Sequence, residues 1–166
     1  MFKSSKFIKI QNLKKMINNI KKKNKKIILC HGCFDILHWG HAIHFNYAKK
    51  YGDILIVSIT KDKFIKKGKN RPIYNQNERA YLLSQLFSIN YVTINNIATA
   101  EDIIKIVRPN FYVKGEQYKL QLNKLSKQFF IEKKLVESFG GKVIFSKGKT
   151  SSSTLAVNKL YNEKKN

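Results

Sequence analysis

Short, continuous apolar runs, each followed by a stretch of helical spacing, constrain this chain more than any other feature. Lys26 to Cys30 and Asp53 to Thr60 (D-I-L-I-V-S-I-T) are such runs. Bounded by turn-forming residues, they predict strands buried on both faces of a parallel sheet. Shorter strands are predicted at Tyr91–Ile94, Phe111–Lys114 and Lys142–Ser146. Helices are predicted over Gly40–Tyr51, Asn77–Phe87, Thr99–Val107, Phe130–Phe139 and Ser151–Tyr161. Thr99 is placed as an N-cap, Pro109 follows the third of these helices, and Gly140-Gly141 close the fourth. Strand and helix thus alternate about five times, which requires an α/β fold with right-handed crossovers. The expected architecture is a doubly wound, five-stranded parallel sheet in a single domain.

A chain of 166 residues suits one such domain. Residues 1–25 are set apart as an N-terminal extension containing an amphipathic helix from Gln11 to Lys23, residues 26–161 form the domain, and residues 162–166 are a frayed tail. The polar stretch Glu116 to Gln128 is read as a mobile loop. The longest apolar run, Ile27 to Cys30, falls far short of the ~20 residues that span a bilayer. No secretory leader is evident, so a cytoplasmic protein is expected. Two cysteines are too few for a disulfide framework. The formal charge of +23 invites nucleic acid as a partner. Only three of the 33 basic residues are Arg, however (Arg71, Arg79 and Arg108), and base-edge readers favour the guanidinium fork. Neither a specific nucleic-acid nor a membrane role is expected.

Ligands of such folds sit beyond the carboxyl ends of the strands. After the first strand comes His31-Gly32-Cys33-Phe34-Asp35-Ile36-Leu37-His38-Trp39-Gly40-His41. Gly32 permits a tight turn at the strand end. His38 and His41 are three apart at a helix start, beside free backbone N–H groups and the positive end of the helix dipole. Gly40, between them, removes the Cβ that would keep a phosphate from the backbone. The loop reads as an anion site suited to the α-phosphate of a nucleotide.

His38-Trp39-Gly40-His41 resembles the His-x-Gly-His signature of the cytidylyltransferase-like nucleotidyltransferase superfamily. Arg71-Pro72 with Glu78-Arg79, Val113-Lys114-Gly115, and Thr150-Ser151-Ser152-Ser153-Thr154 resemble further family segments in the same order. The resemblance runs from about Ile27 to Leu160 and is nearest to heptose 1-phosphate adenylyltransferase and glycerol-3-phosphate cytidylyltransferase domains. It implies a Rossmann-like fold and the reaction of a nucleoside triphosphate with a phosphorylated sugar or polyol, releasing pyrophosphate. It implies that His38, His41 and Lys67 are catalytic. Gly32, Cys33, Phe34, Gly40, Lys114, Gly115, Ser152, Ser153 and Thr154 would bind the nucleotide, and Asp35 and Arg79 the acceptor. Mg²⁺ would be carried mainly by the nucleotide phosphates, and a homodimer is expected. A non-catalytic nucleotide binder is the alternative from another class. Glu116-Gln117-Tyr118 departs from the Gly-Asp-Tyr of heptose relatives, which bears on base or acceptor choice.

Other residues keep two readings. His44, one turn beyond His41, is a substrate contact or packing. Trp39 stacks on a base or packs under the loop. Asp35 binds metal or fixes the loop through backbone N–H groups, and Arg79 binds the acceptor or organises its loop. Lys66 and Lys69 compete with Lys67. Cys30 and Cys33 form a C-x-x-C, but within one loop they lie too close to His38 and His41 for ordinary zinc-finger geometry, so no protein metal site is expected.

Overall fold

The computed structural model describes residues 4–68, 70–116, 118 and 127–147. In chain order the elements are α1 (Ile10–Lys22), β1 (Ile27–Gly32), α2 (Trp39–Lys49), β2 (Ile54–Thr60), a 3₁₀ turn (Asp62–Phe64), α3 (Gln76–Ser84), β3 (Tyr91–Asn95), α4 (Glu101–Val107), β4 (Phe111–Lys114), α5 (Lys127–Ser138) and β5 (Lys142–Phe145). The expected helix at 151–161 and the tail lie outside the described residues, as does most of the stretch expected to be a loop after Glu116.

All five strands are parallel, in the order β3-β2-β1-β4-β5. β1 pairs with β2 from Ile27↔Ile54 to Gly32↔Ile59, and with β4 at Ile28↔Phe111 and Leu29↔Tyr112. The chain winds outward from β1 in both directions, so the order reverses between β1 and β4. Alternate side chains of β1 feed two cores. Ile27 and Leu29 pack with α1, α4 and α5 through Leu13, Ile17, Ile104 and Val136. Ile28 and Cys30 pack with α2 and α3 through Phe45, Ala48, Ala80 and Leu83. This explains the uninterrupted apolar runs: a strand covered on both faces has no polar side to show.

The helix set apart by sequence as an extension is built into the first of these cores, where Leu13, Ile17 and Ile20 are buried. The chain before it adds to the sheet edge through Phe7 and Ile8 beside Val92. Helix ends follow local chemistry. After α1, Asn24 takes φ 53°, and the Asn24 and Lys25 amides donate to Lys21 O and Ile20 O. After α5, Gly140 at φ 76° does the same, with Gly140 N–H to Glu137 O and Gly141 N–H to Val136 O. Both are Schellman ends, which need a residue tolerant of positive φ. Thr99 does not cap α4: the N-cap is Ala100, and the Thr99 hydroxyl donates to Glu101 Oε1 at 3.3 Å.

Candidate active site

A cavity of about 270 Å³ opens at the carboxyl ends of β1 and β4, where the strand order reverses. This is the position at which open α/β sheets bind ligands. Its first wall is the end of β1 and the start of α2: His31, Gly32, Cys33, Phe34, His38, Gly40, His41, Ile43 and His44. The facing wall is Val113 to Glu116, Tyr118, Ser146 and Lys147, and Lys67 reaches in from the segment after β2.

His38 is the N-cap of α2 and His41 lies in its first turn. Their ring centroids are 3.9 Å apart, and the His38 amide donates to His41 Nδ1 at 3.4 Å. His38 Nδ1 is buried with no hydrogen-bond partner among the described residues. Burial, then the neighbouring charges of His38, His44 and Lys67, lower the His41 pKa to about 3. Burial and Lys67 also lower that of His38. At neutral pH the site therefore presents uncharged imidazoles beside the exposed Lys67 ammonium, which has no ion-pair partner among the described residues. An anion entering this space meets donors not already neutralised by carboxylates.

Behind this wall two charged residues hold the loop in shape. Asp35 is 1% exposed. It accepts the Ile73 amide at 2.6 Å and pairs with Arg71, binding the loop after β1 to the chain leading into α3. Arg79 is fully buried. It donates to Tyr74 O at 3.0 Å, to Thr60 O at 2.8 Å, to Asp62 Oδ1 at 2.5 Å and to Cys33 O. One guanidinium thus joins the ends of β1 and β2 to the start of α3. These contacts are those of the loop-organising reading that the sequence left open for both residues. Neither lies on the cavity wall, and both are committed to loop architecture.

The facing wall is organised by a buried carboxylate that sequence reasoning did not single out. Glu132 of α5 is 5% exposed. Its Oε2 accepts from Tyr112 Oη at 2.9 Å and from Lys114 Nζ at 3.4 Å, and its Oε1 accepts the Ala100 amide at 3.2 Å. Lys114 is thereby fixed at the cavity wall, with its Nζ 4.4 Å from the Tyr118 ring centroid. His44 of α2 meets this wall, its Nδ1 2.9 Å from Ser146 Oγ. His31 forms the floor between Ser58 Oγ (3.2 Å) and Thr60 Oγ1 (3.4 Å). Burial is the first cause that lowers His31 to about 3 and His44 to about 4, with Lys114 second in each case.

The structure therefore brings Gly32, Cys33, Phe34, His38, Gly40, His41, Lys67, Lys114 and Gly115 to one cavity. Lys66 is not on its wall. Lys69, Ser152, Ser153 and Thr154 lie outside the described residues. Trp39 is 54% exposed and off the cavity wall, so it neither packs beneath the loop nor lines the site. Cys30 is buried in the core and its thiol pKa is pushed up by burial. No group of three or more His, Cys, Asp or Glu side chains among the described residues is placed to hold a metal ion.

A family model described as cytidylyltransferase-like matches residues 29–157. The chain belongs to the cytidylyltransferase-like family. By that membership it is a nucleotidyltransferase, and the matched residues include His38 and His41 of the cavity wall. The chain is 42% identical over 114 residues to the bifunctional protein HldE of Aliarcobacter butzleri, covering 68% of this chain and 23% of that protein. It is 38% identical over 133 residues to the bifunctional protein HldE of Helicobacter pylori strain J99, covering 78% and 28% respectively. The chain thus spans about a quarter of the length of these curated relatives. Among solved structures, a lipopolysaccharide core biosynthesis protein from Thermoplasma volcanium superposes with a TM-score of 0.62 at 21% identity, covering 76% of this chain and 99% of that one. That likeness shows the cytidylyltransferase-like chain to share a Rossmann-like fold. No helix among the described residues is long and apolar enough to cross a membrane.

Proposed function

We propose that this chain transfers a nucleotidyl group from ATP or CTP to a sugar phosphate or polyol phosphate, in the manner of an ADP-heptose-forming enzyme. The observation that carries this reading is the His38–His41 pair, 3.9 Å apart at the start of α2, facing Lys67 on one side and Lys114 across the cavity. A phosphate oxygen of the acceptor attacks the α-phosphorus. The bond from that phosphorus to the bridging oxygen breaks, and pyrophosphate leaves. Such a step asks the protein mainly for positioning and for stabilisation of charge on the phosphoryl oxygens. His38 and His41 supply hydrogen-bond donors to the α-phosphate, and Lys67 an ammonium that neutralises phosphate charge. Lys114 and Gly115 border the nucleotide from β4, and Ser152, Ser153 and Thr154 are assigned to the distal phosphates. The matches to HldE proteins, together with the resemblance to heptose 1-phosphate adenylyltransferase domains, favour a heptose phosphate and ATP.

Mg²⁺ supplies charge neutralisation on the triphosphate. Glu116 is the one carboxylate on the described cavity wall, so the donor set suits a cation held by phosphate oxygens and water rather than a protein cage. The test is pyrophosphate release with Mg²⁺, crossing ATP, CTP, GTP and UTP with a panel of sugar and polyol phosphates. One nucleotide–acceptor pair is expected to turn over, and His41→Ala is expected to lower the rate about 10²- to 10³-fold, as loss of a transition-state donor does. No pyrophosphate from any pair, despite measurable triphosphate binding, would sink transfer to this acceptor class.

A further inference from the structure

With His38 and His41 assigned to the α-phosphate, a third imidazole on the cavity wall has no assigned role. His44 lies on α2 one turn beyond His41 and lines the cavity. Its Nδ1 is occupied by Ser146 Oγ at 2.9 Å. Ser146 is 6% exposed, and its hydroxyl has no other hydrogen-bond partner among the described residues. A buried hydroxyl keeps an acceptor for its proton, and here His44 Nδ1 is the acceptor within reach. If Ser146 donates to Nδ1, the neutral ring carries its own proton on Nε2. That N–H meets no acceptor among the described residues.

The surroundings say what the N–H is for. Lys114 and Lys147 line the same side of the cavity, the first fixed by Glu132. Against the single Glu116 carboxylate of the described wall, two ammonium groups and one neutral N–H offer donors to oxygen atoms bearing negative charge. We propose that His44 donates a hydrogen bond from Nε2 to a phosphate oxygen of the nucleotide beyond the α-phosphate, with Ser146 holding the ring in the donating tautomer. This deepens the nucleotidyltransferase reading and rests on it. It adds a third imidazole, acting on the phosphates that leave, to the pair acting on the phosphate transferred. Burial keeps the ring uncharged, so its donor strength comes from the tautomer set by Ser146 and not from protonation.

Calorimetric titration of the full chain tests this with ATP and CTP, their monophosphates, and inorganic pyrophosphate. His44→Leu removes the donor. It is expected to weaken triphosphate and pyrophosphate binding about tenfold while leaving monophosphate binding within about twofold. His44→Gln puts an amide N–H near the position of Nε2 and is expected to recover most of the loss. Ser146→Ala keeps the imidazole but frees its tautomer, and is expected to weaken triphosphate binding by an intermediate factor. Should His44→Leu fail to fold, the Ser146→Ala titration decides by the same contrast. Equal weakening of monophosphate and triphosphate would overturn the proposal, as would wild-type triphosphate affinity in His44→Leu or in a folded Ser146→Ala. Failure of the wild type to bind any triphosphate or release pyrophosphate would overturn the nucleotidyltransferase reading as well, which separates the two failures.

Discussion

The two walls of the cavity are held by buried charges of opposite sign. Behind the β1–α2 wall sits Arg79, a cation that donates to three backbone carbonyls and to Asp62. Behind the β4 wall sits Glu132, an anion that accepts from Ala100, Tyr112 and Lys114. In the first case the charge is confined to the scaffold, and the groups that wall presents to the cavity include neutral imidazoles. In the second, the buried charge grips the cavity-lining Lys114 ammonium itself. The first wall therefore behaves as a shaped cradle whose geometry depends on Arg79. The second is a placed cation whose position depends on Glu132.

The largest expected effect comes from removing the cradle's support. Arg79→Met keeps much of the buried volume but strands the carbonyls of Cys33, Thr60 and Tyr74 and the Asp62 carboxylate. Breaking a buried charge pair costs about 3–5 kcal/mol. Asp62 is 33% exposed on its side chain and retains some water, which puts the expected loss near the lower end of that range, about 3 kcal/mol. Urea unfolding at neutral pH measures it. A variant as stable as the wild type but with a raised KM for the acceptor would return Arg79 to the acceptor-binding role and dissolve the contrast between the walls.

The cradle was more legible in the sequence than its supports. His38, Gly40 and His41 announce themselves because helix-start chemistry is local: three residues on one short segment carry the whole signal. The strands were legible because burial on both faces leaves an unbroken apolar run. Arg79 was noticed, but its partners come from three separate segments, and its burial is not written in its neighbours. Glu132 went unnoticed because it lies in a helix whose spacing gives no reason to expect a buried acid. Its partners are 18 to 32 residues away along the chain. The same acid reaches the start of α4, where the sequence places the cap one residue early. The Ala100 amide at that helix start is held by Glu132 from another helix, while the Thr99 hydroxyl turns to Glu101. Ser146 was likewise seen only as a strand end, since its link to His44 spans 102 residues.

A smaller effect, and one specific to the cradle, appears in the pH dependence of stability. Burial first, and Lys114 second, hold the His31 pKa near 3, against an ordinary value of 6.5. The native state therefore refuses a proton that the unfolded chain accepts. The associated stability is complete above pH 6.5 and is lost as pH falls from 6.5 towards 3. Within that window one such group contributes a slope of up to about 1.4 kcal/mol per pH unit. His41 and His44 act with the same sign. His31→Asn is expected to flatten the stability profile between pH 6 and pH 4.5 by about one group's slope, measured by urea unfolding at successive pH values. An unchanged profile would mean that the ring is hydrated or charged in the native protein.

The smallest effect probes how finely the cradle is shaped. A Cβ added at Gly32 would stand 3.0 Å from Phe34 Cζ and 3.1 Å from its Cε2. The Phe34 ring is not free to swing away. It sits edge-on to His41 at 5.3 Å between centroids and 5.2 Å from Phe45, on a backbone held at φ 48°. Gly32→Ala should therefore push Phe34 by a few tenths of an ångström towards the His41 imidazole. Overpacking of this size costs about 1 kcal/mol or slightly more. The displacement of His41 should lower kcat/KM by less than the ~10²-fold that a full 1 Å misplacement can bring. If the ring transmits the strain, shortening it with Phe34→Leu in the Gly32→Ala background should recover both stability and rate, a coupling that a double-mutant cycle reads directly. Additive losses in that cycle would show that Phe34 packs against His41 without setting its position, and the shape of the cradle would then rest on Arg79 and Asp35 alone.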